Sequence, residues 1–135
     1  MSTKEPVIIM TKKNNLLQEL EKIKKLEEDW DNYGADPINK RVIANAEFLI
    51  NNLEIKPVNI TPTPWGTIQM YWKSKNTDIT VEVLEPERDG REFISYLEIF
   101  IIVTNNEQET NIISKQFKLS NYNIIDNFVE FFICN

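Results

Sequence analysis

The hydrophobic residues of this chain change period once, near Lys56-Pro57, and that change restricts the folds open to it more than any other feature. Upstream, apolar residues recur every three to four positions, as on one face of a helix; downstream they alternate, as on a pleated strand. Helices followed by strands make the pattern of an α+β layer architecture, with helices against one face of an antiparallel sheet. The expected order is two N-terminal helices, an antiparallel sheet of four to five strands and a C-terminal helix. A length of 135 residues suits a single domain over 1–135, large enough to bury a core.

The apolar run Pro6-Val7-Ile8-Ile9-Met10 reads as a short strand or arm, too short for a signal-peptide core. Leu16, Leu20, Ile23, Leu26 and Trp30 then follow at helical spacing. The first helix is expected to close at Asn32-Tyr33-Gly34, because glycine tolerates the left-handed conformation that ends many helices. Asn39 is placed to cap a second helix with the stripe Ile43, Ala46, Leu49, Ile50 and Leu53, ending at Lys56-Pro57. The two helices are expected to pair antiparallel.

Val58, Ile60 and Pro62, a Pro64-Trp65-Gly66 turn, then Ile68, Met70 and Trp72 read as a β-hairpin, with Gln69, Tyr71 and Lys73 on the opposite face. Asp78 to Leu84 is the next strand, and Pro86 to Gly90 a charged turn. Glu92 to Val103 is the longest strand and is apolar on both sides: Phe93, Leu97, Ile99, Ile101 and Val103 face one way, Ile94, Tyr96, Phe100 and Ile102 the other. Such a strand belongs in the middle of a sheet, and its second face calls for a helix, a strand or a partner to cover it. After a turn at Asn105 to Glu109, Asn111 to Leu119 returns as a strand. Ser120 or Asn121 is positioned to cap a last helix carrying Ile124, Ile125, Phe128, Phe131 and Phe132.

Chemistry is constrained mainly by what is missing. The chain has no histidine, which removes Ser-His-Asp and Cys-His nucleophile activation and every histidine-containing metal site. Its one cysteine, Cys134, has no activating partner and permits no internal disulfide. Asp29, Asp31 and Gly34 fit the first, third and sixth positions of an EF-hand loop, but Tyr33 and Lys40 stand at the fifth and twelfth, where calcium needs oxygen ligands. Neighbouring strands can bring Glu82, Glu92 and Glu98 together as the paired acids of a hydrolase, but nothing in the sequence fixes their register, and alternating strand charges ordinarily make a solvated sheet face. Gly34, Gly66 and Gly90 sit in separate turns, so no phosphate-binding loop forms. No catalytic, cofactor or metal residue is assigned, and no cofactor is expected.

Fifteen basic against 21 acidic residues leave a net charge of −6, which repels phosphate backbones and anionic membrane surfaces and favours basic partners. No apolar stretch approaches membrane-spanning length, and the expected location is the cytoplasm. Trp30 and Trp72 are in phase with apolar stripes and are expected in the core, whereas Trp65 at a hairpin tip has no periodic reason to be buried.

Trp30-Asp31-Asn32-Tyr33-Gly34-Ala35-Asp36-Pro37-Ile38, with Ala46 and Phe48-Leu49, and then Pro62-Thr63-Pro64-Trp65-Gly66-Thr67-Ile68-Gln69-Met70-Tyr71-Trp72, resemble the motifs of a family of small bacterial and phage proteins. That family commonly shows a Pro-Thr-Pro-Asp-Gly-Gly-Ile-Gln-Leu-Glu-Trp run; here Asn32 replaces a usual glycine and Trp65 a usual aspartate. The resemblance covers about the first 85 residues, the extent of one compact unit. It implies no activity that transfers residue by residue, only a mobile-element or defence-related setting.

The resulting expectation is a non-catalytic protein-interaction module, such as a phage-encoded inhibitor of a bacterial defence protein, an antitoxin or an immunity protein. Its partner would be a host or toxin protein with a basic surface, met through Trp65, Tyr71, Glu82 and Glu98. A homo-oligomer explains the apolar excess equally well. The alternatives are a divalent-metal carboxylate hydrolase, with Asp29, Asp31 and strand glutamates around an ion, and a small structural phage subunit.

Overall fold

The computed structural model describes residues 4–105 and 107–134, and the side chains of these except residues 4–10 and 111. Helix α1 spans Lys4–Lys24 and α2 spans Lys40–Asn52. Strands β1 (Asn59–Pro62), β2 (Ile68–Lys73), β3 (Thr77–Val83), β6 (Tyr96–Asn105) and β7 (Gln108–Lys118) form one antiparallel sheet in the order β1-β2-β3-β6-β7, and β4 (Glu87–Asp89) pairs with β5 (Glu92–Ile94) in a separate small hairpin. A 3-10 turn at Leu119–Asn121 leads into helix α3, Asn123–Phe132. The chain is therefore α+β, with two N-terminal helices, a five-stranded antiparallel sheet and a C-terminal helix.

The element that organises the rest is α2. Asn39 caps it as its sequence position predicts, its side-chain oxygen accepting from the amides of Arg41 at 2.8 Å and Val42 at 3.4 Å, a contribution of about 1 kcal/mol. Val42, Ala46, Leu49 and Ile50 are fully buried, because α2 lies between α1 on one side and strands β2 and β3 on the other. From the sheet, Ile60, Ile68, Met70, Trp72, Ile79, Val81, Leu97, Ile99 and Ile101 enter the same cluster, and Ile125 and Val129 of α3 complete it. Each such side chain contributes about 1.5–3 kcal/mol by leaving water.

The C-terminal end of α2 is closed by a lysine. Lys56 is buried, and its Nζ donates to the carbonyl oxygens of Ile50 at 2.6 Å and Leu53 at 2.5 Å. A carbonyl of the last helical turn and that of the C-cap residue, which would otherwise be orphaned, are thereby satisfied. The Asp126 carboxylate, from α3, accepts from the amides of Glu54 at 3.1 Å and Ile55 at 3.0 Å, and the Trp72 indole donates to the Ile55 carbonyl at 3.0 Å. Elements distant in sequence thus meet at the segment that leaves α2.

Several expectations need correction. The run Pro6 to Met10 is part of α1, not a strand or arm; a proline in the first turn removes a donor that has no helical partner anyway. Helix α1 stops at Lys24, well before Gly34, and Trp30 lies beyond it, half-buried. The strand expected over Glu92 to Val103 is broken at Ser95, so that Phe93 is 45% exposed beneath the Arg41 guanidinium, 3.8 Å from its ring centre. The middle strand is β3, with β6 between β3 and the edge strand β7. The turn expected over Asn105 to Glu109 is shorter, β7 starting at Gln108, and Asn106 lies outside the described residues. Neither Ser120 nor Asn121 caps α3; the 3-10 turn occupies them and Tyr122 takes the cap position without a side-chain bond. Phe131 is 67% exposed, off the stripe that α3 buries.

Burial, with Lys13 nearby, lowers the pKa of Lys56 below the usual lysine value of 10.5, while Asp126 opposes the shift. Because the folded chain holds this proton less tightly than the unfolded chain, the contribution of Lys56 to stability is full above pH 10.5 and is lost as pH falls through the lowered pKa. A neutral amine still carries two N–H donors for the two carbonyls. Lys56→Met is expected to cost about 1–3 kcal/mol by stranding both acceptors. It is also expected to remove this rise of stability with pH, as measured by urea unfolding of the two proteins across the alkaline range.

Candidate functional site

Along β3 and most of β6, residues alternate between two environments. On β3 and β6 the odd-numbered Ile79, Val81, Val83, Leu97, Ile99 and Ile101 are buried in the core, whereas Asp78, Thr80, Glu82, Tyr96, Glu98, Phe100 and Ile102 are half-buried on the other face. Side chains of all three helices join the cluster on the first face. Tyr71, Tyr96, Phe100 and Ile102 are not among the partly buried apolar residues packed against that core. The second apolar face of β6, expected to need a cover, has none among the described residues.

The ladders set this face out as a grid. Gln69 pairs with Glu82, Glu82 with Glu98, and Glu98 with Gln116, in one row across four strands. The neighbouring row runs Tyr71, Thr80, Phe100, Ser114. Directly opposite side chains in such ladders have Cβ atoms about 4.5–5.5 Å apart, so Glu82 and Glu98 are like-charged cross-strand neighbours, a pairing that opposes folding.

Glu82 is held by neutral donors. Gln69 Nε2 donates to its Oε1 at 3.2 Å, and Thr67 Oγ1 to its Oε2 at 2.9 Å. Tyr71 OH donates to Gln69 Oε1 at 2.5 Å, and Thr61 Oγ1 to Tyr71 OH at 3.3 Å. On the other side Thr63 Oγ1 lies 2.5 Å from Thr67 Oγ1, whose proton is already given to Glu82, so Thr63 is the donor of that pair. Two chains of hydroxyl and amide donors therefore converge on one carboxylate. Glu98 has no side-chain hydrogen bond or ion pair among the described residues.

The same threonines shape the hairpin tip. Thr63 and Thr67 are buried, with the Thr63 amide donating to the Thr67 carbonyl at 2.9 Å, and between them Trp65 is 63% exposed. The tip is fastened to the segment before α2: the Asp36 amide donates to the Pro64 carbonyl at 2.7 Å and the Asn39 amide to the Gly66 carbonyl at 3.2 Å. That segment follows a closed loop with Asp29 and Asn32 at positive φ and Tyr33 93% exposed.

Asp29 and Asp31 build that loop. One oxygen of Asp29 accepts from the Gly34 amide at 2.7 Å, and one of Asp31 from the amides of Tyr33 at 2.8 Å and Ala35 at 3.1 Å. Asp29 and Asp31 thus cap the backbone of their own loop. The structure does not gather Asp29 and Asp31 with the strand glutamates: among the described residues no three of His, Cys, Asp and Glu are grouped to hold an ion. Glu92 belongs to the small hairpin, paired with Asp89, and not to the row of Glu82 and Glu98.

Of the four residues expected at the partner surface, Tyr71, Glu82 and Glu98 share the open face, and Trp65 projects from the turn tied to it through Thr67. Thr67 and Gln69 join this site only through the fold, whereas the two-residue alternation of the sequence already places Tyr96 and Phe100 beside Glu98. A shallow cavity of about 420 Å³ at one end of the face is lined by Val58, Asn59, Tyr71, Lys73, Asp78 and Thr80. Another, of about 560 Å³ between the end of α1 and the start of α2, offers Lys24, Lys40 and Glu47 as its charged groups.

Gly66 is the pivot of the tip. Its φ is +89°, and a Cβ there would lie 3.1 Å from the Pro37 carbonyl oxygen, against rigid backbone. Gly90, at φ +64°, has nothing within 4 Å of the same position. Gly66→Ala is expected to cost about 2–3 kcal/mol and Gly90→Ala about 1 kcal/mol, the difference being the clash added to the dihedral strain; equal shifts in chemical denaturation would contradict this. No protein-family model, curated protein or solved structure matches the chain, so the reading of this surface rests on its own geometry.

Proposed function

We propose that this chain is a non-catalytic protein-interaction module, such as a phage-encoded inhibitor of a bacterial defence protein or an antitoxin or immunity protein, acting in the cytoplasm on a target with a basic surface. The observation that carries the reading is the sharing of one uncovered sheet face by Tyr71, Glu82 and Glu98, linked through Thr67 and Thr63 to the turn that exposes Trp65. Tryptophan and tyrosine are the residues most enriched at binding hot spots, since they bury large rigid surface with one polar tip. A net charge of −6 steers a cationic partner toward such a face. A chain without histidine lacks the side chain best suited to moving protons near neutral pH.

The test is affinity purification from a bacterial host lysate with the tagged chain as bait, read by mass spectrometry and quantified by calorimetry. A basic protein is expected at defined stoichiometry. Trp65→Ala is expected to weaken the complex about tenfold or more, the factor set by about 1.4 kcal/mol at a hot spot. Its circular dichroism should match that of the parent, because the indole contributes little to the core. Recovery of no partner by a chain that light scattering shows to be monomeric, or full affinity in Trp65→Ala, would contradict the proposal.

A further inference from the structure

Resting on that interaction reading, we infer that the open sheet face is a seat for an arginine side chain of the protein partner, received between Glu82 and Glu98 and stacked on Phe100. Three observations point to this chemistry. First, Glu82 and Glu98 are direct cross-strand partners, half-buried, and neither makes an ion pair among the described residues. Like charges placed opposite each other repel, and a cation set between them reverses the sign of that interaction.

Second, the two carboxylates are unequally prepared. Thr67 and Gln69 hold Glu82 in one orientation, while Glu98 has no partner and is free to close on an incoming group. One fixed and one adjustable acceptor, with Cβ atoms about 5 Å apart, suit the planar fork of a guanidinium, which offers donors along two edges.

Third, among the polar neighbours Gln69, Gln116 and Lys118, the same face carries aromatic rings beside the acids. Tyr96 and Phe100 flank Glu98 on the same face of β6, each about 7 Å along the strand, and Tyr71 completes the row that contains Phe100. A guanidinium between the acids reaches such a ring within about 6 Å, where its attraction to the ring face adds to the ion pair. Lysine, a compact ammonium without a flat surface, gains less from this frame. A hard divalent cation needs about six oxygens and finds two carboxylates here.

The experiment is a titration of the isotopically labelled full chain with a capped tri-arginine peptide, followed by amide chemical shifts. Capped tri-lysine and magnesium chloride at matched ionic strength are the comparisons. Shifts are expected at Gln69 to Tyr71, Thr80 to Glu82 and Tyr96 to Phe100, with tri-arginine binding at least about fivefold tighter than tri-lysine. Glu98→Gln is expected to lose about tenfold in affinity while melting no lower than the parent, because it removes a repulsion. Phe100→Leu should narrow the difference between arginine and lysine, and Glu28→Gln, on the exposed loop, should change nothing.

Equal binding of the two peptides with shifts spread over the acidic surface would overturn the inference, as would competition by magnesium beyond ionic screening or unchanged affinity in Glu98→Gln. The two readings fail separately. A captured protein released by Trp65→Ala but held fully by Glu98→Gln leaves the interaction module standing and removes the arginine seat. Arginine-selective shifts at this face with no protein captured do the reverse.

Discussion

Everything in this molecule is arranged around the burial of helix α2 between α1 and the sheet. Its apolar stripe is almost entirely removed from water, and Ala46, with no side chain beyond a methyl, sits at zero exposure in the middle of it. A helix so deeply placed cannot leave its terminal amides and carbonyls to solvent, and each end is satisfied by a specific group. Asn39 takes the amides at one end; the Lys56 ammonium takes two carbonyls at the other. Asp126 and Trp72 then bind the chain that leaves the helix, which ties α3 and the sheet to the same few residues.

This arrangement has a direct consequence for the opposite side of the sheet. The described side chains of α1, α2 and α3 that enter the core do so from one face, so the other carries a half-buried surface of glutamates, tyrosines and a phenylalanine. A fold optimised for stability alone would not set Glu82 across from Glu98. Their juxtaposition costs free energy in the isolated chain, and such local conflicts collect where a surface serves something other than its own fold. The hydroxyl and amide chains converging on Glu82 orient its carboxylate.

Much of the architecture was legible from residue order. The stripe Ile43, Ala46, Leu49, Ile50 has one helical reading, and Asn39 marks its start; Ile68, Met70 and Trp72 against Gln69, Tyr71 and Lys73 have one strand reading. The β1-β2 hairpin followed from the turn chemistry of Pro64 and Gly66. Other parts were illegible for physical reasons. Leu26 and Trp30 continue a helical period that the backbone abandons at Lys24, where the amides of Lys25 and Leu26 turn to the carbonyls of Lys22 and Ile23 and a loop capped by Asp29 and Asp31 follows. Ser95 interrupts a run of apolar residues with no proline or glycine to announce it, its hydroxyl taken up by Asn45 at 2.9 Å. Lys56 reads as a surface charge at a helix end, and only the packing around it makes it a buried cap.

Residue order by itself determined the class of fold, the two faces of each strand and the side on which Tyr71, Glu82 and Glu98 stand, because periods of 3.6 and 2 are local properties of the backbone. Tertiary structure decided which face the helices cover, that Glu82 meets Glu98 and not Glu92, and that Trp65 stays in solvent while Trp72 is enclosed. Those outcomes depend on strand register and on contacts between segments far apart in the chain, and such long-range pairings are set by the summed packing of all the layers at once and by no short stretch of residues alone.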